Sequence, residues 1–267
     1  MKVAEVLRGA TEYLAARGVD SPRVDAELLL SRALGLERIE LYTQHDRPLT
    51  EAERAAAREL VQRRGRREPL AYVLGDWDFR HLTLKTDPRA LVPRPETEIA
   101  VERCLELLRT TAAPRVLDAG TGTGAIALAI ADEHPGARVT AVDTSADAVA
   151  LARENAQRLG LDVDVRLGDF DVAAEGWDLV VSNPPYVTPE EWGTLQPEIR
   201  EWEPLGALVG VGLHERLARV ANAHHLVLEV GAGQADDVAR MFTSLGYVDV
   251  RVTPDLAGIP RVVEGGR

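Results

Sequence analysis

The sequence predicts an α/β protein in which a small N-terminal helical bundle precedes a doubly wound, mostly parallel sheet. From residue 114 onward, short apolar segments typical of strands alternate with helical segments, the pattern of a parallel sheet covered on both faces. Residues 1–75 contain only short helical patterns. We therefore predict a bundle at residues 1–75, a linker hairpin and helix at 76–113, and a sheet domain at 114–267.

Helix signals recur through the bundle. Thr50 and Glu53 have the spacing of a capping box, and Gly65 is expected to end the helix that they open. Gly35 is expected to end the preceding helix, which begins with Pro22. Helices this short are unstable in isolation, so they should pack together.

The linker and the sheet follow in chain order. Residues 76–95 alternate in polarity and predict a hairpin, and residues 96–110 form an amphipathic helix with Cys104 on its apolar stripe. Seven strands are predicted, at residues 115–120, 138–143, 163–169, 177–182, 225–231, 247–252 and 260–266, with one of the C-terminal strands antiparallel.

Composition favours a cytoplasmic protein. Hydrophobic residues make up 45% and charged residues 28% of the 267 positions, which is typical of a globular protein with a substantial core. The N-terminus carries charges where a signal peptide needs an apolar stretch, and no apolar run approaches the ~18 residues of a membrane span. Cys104 is the only cysteine, so neither an intrachain disulfide nor a cysteine metal site is expected.

Charge is distributed unevenly. The chain has a net charge of −12, yet residues 1–75 carry 13 basic and 12 acidic side chains. The acidic sheet domain should repel phosphate backbones, so stable binding to nucleic acid is not expected. The densest basic cluster lies in the bundle and comprises Arg63, Arg64, Arg66 and Arg67.

A glycine-rich loop follows the first predicted strand of the sheet. Its glycines would let a ligand approach the backbone at a helix N-terminus, and Asp143, at the end of the next strand, is placed to accept hydrogen bonds from ribose hydroxyls. Asp118, just before the loop, could meet an ammonium group. The predicted cofactor-binding residues here are Asp118, Gly120, Thr121, Gly122, Thr123, Gly124 and Asp143. With Ala125 the loop also fits a loose dinucleotide fingerprint, so an NAD enzyme is an alternative.

A rigid polar motif, Asn183-Pro184-Pro185-Tyr186, follows the fourth strand of the sheet domain, where open α/β sheets place ligands. The Asn183 side chain and the Pro184 backbone carbonyl offer two acceptors to one NH2 group, and Tyr186 can stack on a planar target. This arrangement suits methylation of an amide or base nitrogen, and it favours that reaction over hydride transfer.

Taken together, these segments resemble the HemK/PrmC family of glutamine methyltransferases, which modify peptide chain release factors. The resemblance covers almost the whole chain, and Arg94-Pro95-Glu96-Thr97-Glu98 distinguishes it from adenine-specific nucleic-acid methyltransferases. It implies a Rossmann-like, seven-stranded class I methyltransferase domain, S-adenosyl-L-methionine as cofactor and a release factor as protein partner. It also implies that Asp169 and Phe170 lie beside the adenine, although Phe170 stands where the family often has tryptophan.

The resemblance assigns the target glutamine, in a Gly-Gly-Gln motif, to Asn183, Pro184, Pro185 and Tyr186, with Asn183 and Pro184 catalytic and Asn183 also near the cofactor. No metal is expected, because the sulfonium already activates the methyl group. The bundle, which carries no evident chemistry, is predicted to recognise the body of the substrate. A ribosomal-protein glutamine methyltransferase is the nearest alternative, and an adenine-specific methyltransferase a more distant one.

Overall fold

The computed structural model describes all 267 residues and contains twelve α-helices and nine strands. The helices are α1 Val3–Ala15, α2 Pro22–Leu34, α3 Arg38–Thr43, α4 Glu51–Gly65, α5 Leu70–Leu74, α6 Thr97–Leu108, α7 Ala125–Glu133, α8 Ala146–Leu159, α9 Pro189–Trp192, α10 Pro197–Trp202, α11 Leu213–Val220 and α12 Ala235–Ser244. The strands are β1 Asp76–Phe79, β2 Leu82–Lys85, β3 Arg115–Ala119, β4 Arg138–Asp143, β5 Val163–Leu167, β6 Trp177–Ser182, β7 Ala223–Glu229, β8 Val248–Pro254 and β9 Pro260–Gly266. None of the helices is long and apolar enough to cross a membrane.

The chain divides into two compact units. The helical unit comprises Met1–Asp76 together with Gln196–Trp202, and the sheet unit comprises Trp77–Leu195 and Glu203–Arg267. The predicted bundle therefore gains α10, and most of the predicted linker belongs to the sheet unit. No strand lies within residues 1–75, where an isolated bridge joins Lys2 and Pro48.

Helix ends in the helical unit follow the predicted signals with one exception. Thr50 accepts a hydrogen bond from the Glu53 amide at 3.2 Å, which completes the capping box, and Gly35 takes the left-handed conformation after α2. Gly65 differs from the prediction, because it remains helical and Arg67 takes the left-handed conformation instead. A Cβ at Gly65 would lie 2.4 Å from the Tyr13 ring, so close packing accounts for this glycine.

The basic cluster of the helical unit is largely neutralised by acids. Arg63 pairs with Glu68, and Arg67 Nη2 lies 2.5 Å from a Glu198 carboxylate oxygen. Arg64 is buried and pairs with both Asp25 (2.7 Å) and Glu198 (2.8 Å). Of the four arginines only Arg66 has no acidic partner, so the cluster is mainly a structural ion-pair network.

The sheet unit contains the predicted seven-stranded sheet, in the order β5-β4-β3-β6-β7-β9-β8. Pairs among β3 to β7 are parallel, and β9 runs antiparallel to both of its neighbours. The predicted linker hairpin is present as a separate two-stranded sheet of β1 and β2. The strand order reverses around β3, and ligands of open α/β sheets bind at this kind of switch point.

Both faces of the sheet are buried. Val116 packs with α6, α7 and α8 on one face, whereas Leu117 packs with α11 and α12 on the other. Alternate residues of one strand thus enter different cores, as expected for a doubly wound sheet. Cys104 lies fully buried in the first of these cores, which confirms its predicted place.

Candidate active site

A cavity of about 510 Å³ opens at the carboxyl ends of β3, β4 and β6. Most of the predicted site residues line it, namely Gly120, Thr121, Gly122, Thr123, Asp143, Asp169, Phe170, Asn183 and Pro185. The structure therefore brings together residues from four separate strand ends. Asp118, Gly124, Pro184 and Tyr186 were also predicted and do not line the cavity.

The glycine loop runs from β3 into α7 along one wall of the cavity. Gly120, Gly122 and Gly124 all have positive φ, of 82°, 56° and 87°. A Cβ at Gly124 would lie 3.0 Å from Leu128, so this glycine serves helix packing, whereas Gly120 and Gly122 have free space around them. The loop can therefore admit a ligand against its backbone at Gly120 and Gly122.

Asp143 holds the loop from the end of β4. Its two carboxylate oxygens accept hydrogen bonds from the amides of Gly122 and Ser145, both at 2.9 Å. A carboxylate has about four acceptor positions, so lone pairs remain for ribose hydroxyls in the cavity. The carboxylate is thus fixed in place and keeps acceptor positions, and its contact with ribose hydroxyls stays a prediction.

Asp118 lies behind the loop and has no exposed surface. Its Oδ2 accepts hydrogen bonds from the Thr121 hydroxyl at 2.6 Å and from the Ala127 amide at 3.2 Å, while Oδ1 has no partner. Burial raises the pKa of Asp118 to about 7, and those two hydrogen bonds oppose the rise. The expectation of direct contact with an ammonium group does not match this position, because the carboxylate is fully buried and does not line the cavity.

Asp169 and Phe170 form another wall of the cavity after β5. The Asp169 carboxylate accepts a hydrogen bond from the Phe170 amide at 2.7 Å and pairs with Arg216 at 2.6 Å. The guanidinium of Arg216 lies 5.5 Å from the centre of the Phe170 ring. Arg216 thus covers the aromatic side chain and could add to a stack on an adenine ring.

Asn183 faces the cavity from the end of β6. Its side-chain nitrogen lies 3.3 Å from the Thr97 hydroxyl. Pro184, directly after it, is buried, and its carbonyl oxygen accepts no hydrogen bond within the chain. The two predicted acceptors, the Asn183 amide oxygen and the Pro184 carbonyl, therefore have no hydrogen-bond donor within the chain.

Tyr186 packs away from the cavity lining. Its ring stacks with His214 at a centroid distance of 6.4 Å, and burial raises the pKa of its hydroxyl to about 12. Gln234 donates a hydrogen bond to the Tyr186 carbonyl at 3.1 Å. These contacts hold the proline motif in place, and stacking of Tyr186 on a target amide remains a prediction.

Several cavity residues were not predicted. They come from the loop before α6, from the segment that leads into α11 and from α11 itself, and they include Arg89, Ala90, Leu91, Val92, Pro93, Arg94, Pro204, Gly206, Ala207, Leu213 and Arg216. Neither segment has a periodic pattern or a polar cluster at a strand end. Among these residues, Arg94 alone lies in the motif at residues 94–98 that distinguishes the family.

The geometry fits S-adenosyl-L-methionine. The glycine backbone leaves space at Gly120 and Gly122, Asp143 offers acceptors at the strand end, and the Phe170 ring gives an apolar surface for a purine. The predicted acceptors at Asn183 and Pro184 lie at the end of β6, the strand beside β3.

Comparison with known proteins supports this interpretation. Residues 5–75 match the model of the PrmC N-terminal domain, and residues 94–196 match the methyltransferase small domain. A release factor glutamine methyltransferase of Geobacter sulfurreducens is 42% identical over 276 residues, 99% of this chain and 96% of that protein. One from Chlorobaculum tepidum is 40% identical and covers 97% of this chain and 95% of its own length.

Among solved structures, the catalytic domain of hMettl16 in complex with MAT2A 3′UTR hairpin 6 has a similar fold. Its TM-score is 0.58 at 15% identity, with 78% of this chain and 82% of that chain covered. The identity is low, so this likeness speaks for the class I methyltransferase fold alone. Because these relatives are 40–42% identical to it over nearly its full length, the chain belongs to the release factor glutamine methyltransferases, a family of S-adenosyl-L-methionine-dependent enzymes.

Proposed function

We propose that this chain methylates the side-chain amide nitrogen of the glutamine in the Gly-Gly-Gln motif of a peptide chain release factor. The observation that carries the proposal is the pair of free acceptors at Asn183 and Pro184 beside a cavity that fits the cofactor. Two acceptors match the two hydrogens of a primary amide. The cytoplasm, where release factors act, is the expected location.

The residues of this chain contribute mainly alignment and electrostatics. S-adenosyl-L-methionine, when bound, supplies a methyl group already activated by its sulfonium. An amide nitrogen is a poor nucleophile, because its lone pair is delocalised into the carbonyl group. Asn183 and Pro184 would hold it in line and stabilise the positive charge that develops on it, and preorganised contacts of this kind lower a barrier substantially.

The proposed cofactor residues follow from the cavity wall. Asp143 would bind the ribose hydroxyls, Phe170 would pack on the adenine, and the backbone of Gly120 and Gly122 would approach the cofactor closely. We propose that Asp118 acts through Thr121, whose hydroxyl it orients, and not by direct contact.

Mass spectrometry of a release factor incubated with the enzyme and labelled cofactor tests the proposal. One methyl group should appear on the glutamine of the Gly-Gly-Gln motif, and a release factor with alanine at that glutamine should stay unlabelled. Label on a ribosomal protein, with none on the release factor, would instead support the nearest alternative.

We further propose that the helical unit binds the body of the release factor. The supporting feature is an exposed patch on α2 and α3, the α2–α3 patch, which comprises Arg23, Val24, Arg38, Ile39 and Tyr42. Ile39 is 68% and Tyr42 is 50% exposed. Arginine, tyrosine and exposed aliphatic side chains are typical of protein interface centres.

The patch is rigid, because a buried carboxylate ties its polar members together. Glu27 accepts hydrogen bonds from Arg23 and Arg38, each at 2.6 Å, and from the Tyr42 hydroxyl. A preorganised surface loses less entropy on binding. The α2–α3 patch is thus a better candidate than the basic cluster, whose charges are already paired.

Substitution of Ile39 by Asp tests this role. It should lower kcat/KM for the intact release factor at least tenfold and leave kcat/KM for a short Gly-Gly-Gln peptide nearly unchanged. Ala55→Asp, at an exposed position of α4, is the matched control and should affect neither substrate. Equal losses on protein and peptide for Ile39→Asp would contradict substrate recognition by this surface.

A further inference from the structure

The segment that leads into α11, residues 203–212, is fastened to the chain at the proline motif. The amide of Val187 donates a hydrogen bond to the Leu208 carbonyl at 2.9 Å, and the amide of Gly210 donates one to the Val187 carbonyl at 3.2 Å. A Cβ at Gly210 would lie 2.7 Å from the carbonyl oxygen of Pro185, so a side chain at this position would displace the motif. The segment therefore forms a fixed border of the proposed target site.

This segment combines cavity-lining residues with exposed aliphatic side chains. Pro204, Gly206 and Ala207 line the cavity. Leu205 is 56% and Val211 is 76% exposed. The segment thus places aliphatic side chains in solvent within a few residues of the cavity wall.

The loop between β8 and β9, residues 255–259, lies at the same edge of the sheet. Glu229, the last residue of β7, pairs with Val262 of the antiparallel strand β9, so the chain that precedes Pro260 lies beyond the carboxyl end of β7. The strand β6 is parallel to β7 and leads into the proline motif at this edge. The loop and the motif therefore follow neighbouring strand ends.

A short series of contacts joins this loop to the motif. Gly231 packs so closely on the Tyr186 ring that a Cβ there would lie 3.0 Å from Cδ2. The amide of Val230, the preceding residue, donates a hydrogen bond to the Arg261 carbonyl at 2.8 Å, and the Arg261 guanidinium pairs with Asp255 at 3.0 Å. The loop is thus held at a defined place relative to Tyr186.

The loop is a rigid turn that presents apolar side chains. The Asp255 carboxylate accepts hydrogen bonds from the amides of Ala257 and Ile259, both at 2.9 Å, and Gly258 has a φ of 80°. Leu256 is fully exposed, and Ile259 is exposed as well. A surface that is already ordered loses little entropy when it binds a partner.

Exposed aliphatic side chains of the sheet unit are concentrated on these two segments. Six large hydrophobic residues of this unit are exposed, and four of them lie on the two segments, namely Leu205, Val211, Leu256 and Ile259. The other two are Leu167 and Val248. Single exposed hydrophobic residues are ordinary, but their concentration beside a functional cavity indicates a binding surface.

We propose that residues 203–212 and 255–259, here called the entry loops, bind the residues that flank the target glutamine in the release factor. This inference rests on the proposed function. The Gly-Gly-Gln motif has no apolar side chain, so the apolar partners of the entry loops are the flanking residues. The surface is continuous with the site of methyl transfer, and binding energy gained there can align the amide nitrogen with the methyl group.

Two substitutions test the proposal on two protein substrates. The substrates are the intact release factor and a version in which the apolar residues next to Gly-Gly-Gln are replaced by serine. Val211→Asp and Leu256→Asp should each lower kcat/KM for the intact release factor roughly tenfold, the effect of losing one buried aliphatic side chain. Each should have much less effect on the serine version, which the parent enzyme should itself methylate more slowly than the intact release factor.

Other variants separate recognition from general damage. Val248→Asp is the matched control, because Val248 is 57% exposed and pairs with Gly266 beside the start of β7, at the opposite edge of the sheet. It should keep the parent kcat/KM, as should Val211→Leu, which stays aliphatic. The dissociation constant of S-adenosyl-L-methionine in calorimetry should be unchanged in all of these variants.

The possible outcomes distinguish this inference from the proposed function. A parent value of kcat/KM in either aspartate variant, equal losses on the two substrates, or an equal loss in Val248→Asp would overturn binding by the entry loops. Weakened cofactor binding in the aspartate variants would also overturn it, because the loops would then support the cavity. A parent enzyme that labels no release factor would instead refute the proposed function.

Discussion

Replacement of Asp143 by alanine should weaken S-adenosyl-L-methionine binding by a measurable and bounded amount. The carboxylate accepts hydrogen bonds from the backbone amides of Gly122 and Ser145, both at 2.9 Å, and these amides donate to no other acceptor. The acceptor positions left on the carboxylate face the cavity that Asp143 lines. The variant would therefore remove the proposed contact to the ribose together with the side chain that fixes the loop.

The expected magnitude follows from these contacts. A hydrogen bond to a charged acceptor contributes about 1.5–3 kcal/mol. Since every 1.4 kcal/mol is about a tenfold change in affinity, one lost ribose contact should raise the dissociation constant roughly 10- to 150-fold. Loss of the hold on Gly122 adds to this effect, so roughly tenfold is the lower bound.

Calorimetric titration with S-adenosyl-L-methionine measures this effect. Asp147→Ala is the matched control, because Asp147 is exposed on the first turn of α8 and lies outside the cavity. Its dissociation constant should equal that of the parent. A change of less than twofold in Asp143→Ala, or equal weakening in both variants, would show that the ribose binds elsewhere.

Three further outcomes are expected. Asn183→Ala should retain the fold by circular dichroism and lower kcat at saturating cofactor by on the order of a hundredfold or more; parent turnover would contradict its role. Arg64→Ala should lower the free energy of unfolding in urea by about 3–5 kcal/mol, because it leaves Asp25 buried without a cation and leaves Glu198 paired with Arg67 alone. Glu27→Gln should destabilise the protein at neutral pH, with a difference that shrinks as pH falls from about 4.5 toward 2; a difference independent of pH would contradict it. Burial opposes ionisation of Glu27, but hydrogen bonds from its neighbours lower its pKa to about 2, so its carboxylate stabilises the fold above the unfolded pKa and loses that effect in acid.

The features that sequence predicted well are those that local chemistry determines. The alternation of strands and helices gave the sheet, and its two sharpest motifs, at Gly120–Gly124 and Asn183–Tyr186, lie at the strand ends where they were expected. Each motif needs particular backbone geometry within a few residues, such as the positive φ at Gly122. Such requirements restrict which residue types can occupy these positions, so the motifs can be recognised in the sequence.

Features that depend on distant packing were missed. The helices α9, α10 and α11 have only four, six and eight residues, too few for a clear periodic pattern. Membership of α10 in the helical unit depends on Glu198 and its partners Arg64 and Arg67, which lie far from it in sequence. The contact of Asn183 with Thr97 likewise joins residues of separate elements.

The grouping of α10 with the helical unit changes how that unit should be tested. Deletion of residues 1–75 would remove Arg64 and Arg67 and leave the Glu198 carboxylate without its cations. Loss of activity in such a deletion would then report instability as readily as loss of substrate recognition. Substitution at Ile39 avoids this ambiguity, because its side chain is exposed and distant in sequence from the ion-pair network.

Two buried acids of the sheet, on strands separated by β6, share the same features. Asp118, in β3, and Glu229, at the end of β7, each have a pKa raised by burial to about 7 and one oxygen without a partner. Asp118 also accepts a hydrogen bond from Thr121, which lines the cavity.

A raised carboxyl pKa makes each acid destabilising once pH exceeds its unfolded value, and the effect grows until pH passes about 7. Apolar or amide side chains at these positions would avoid that cost, so stability alone does not account for the acids. Glu229→Gln should therefore raise the melting temperature at pH 8 relative to the parent and have a smaller effect at pH 5. An equal shift at both pH values would mean that the pKa of Glu229 is not raised in the folded protein, and would contradict this reasoning.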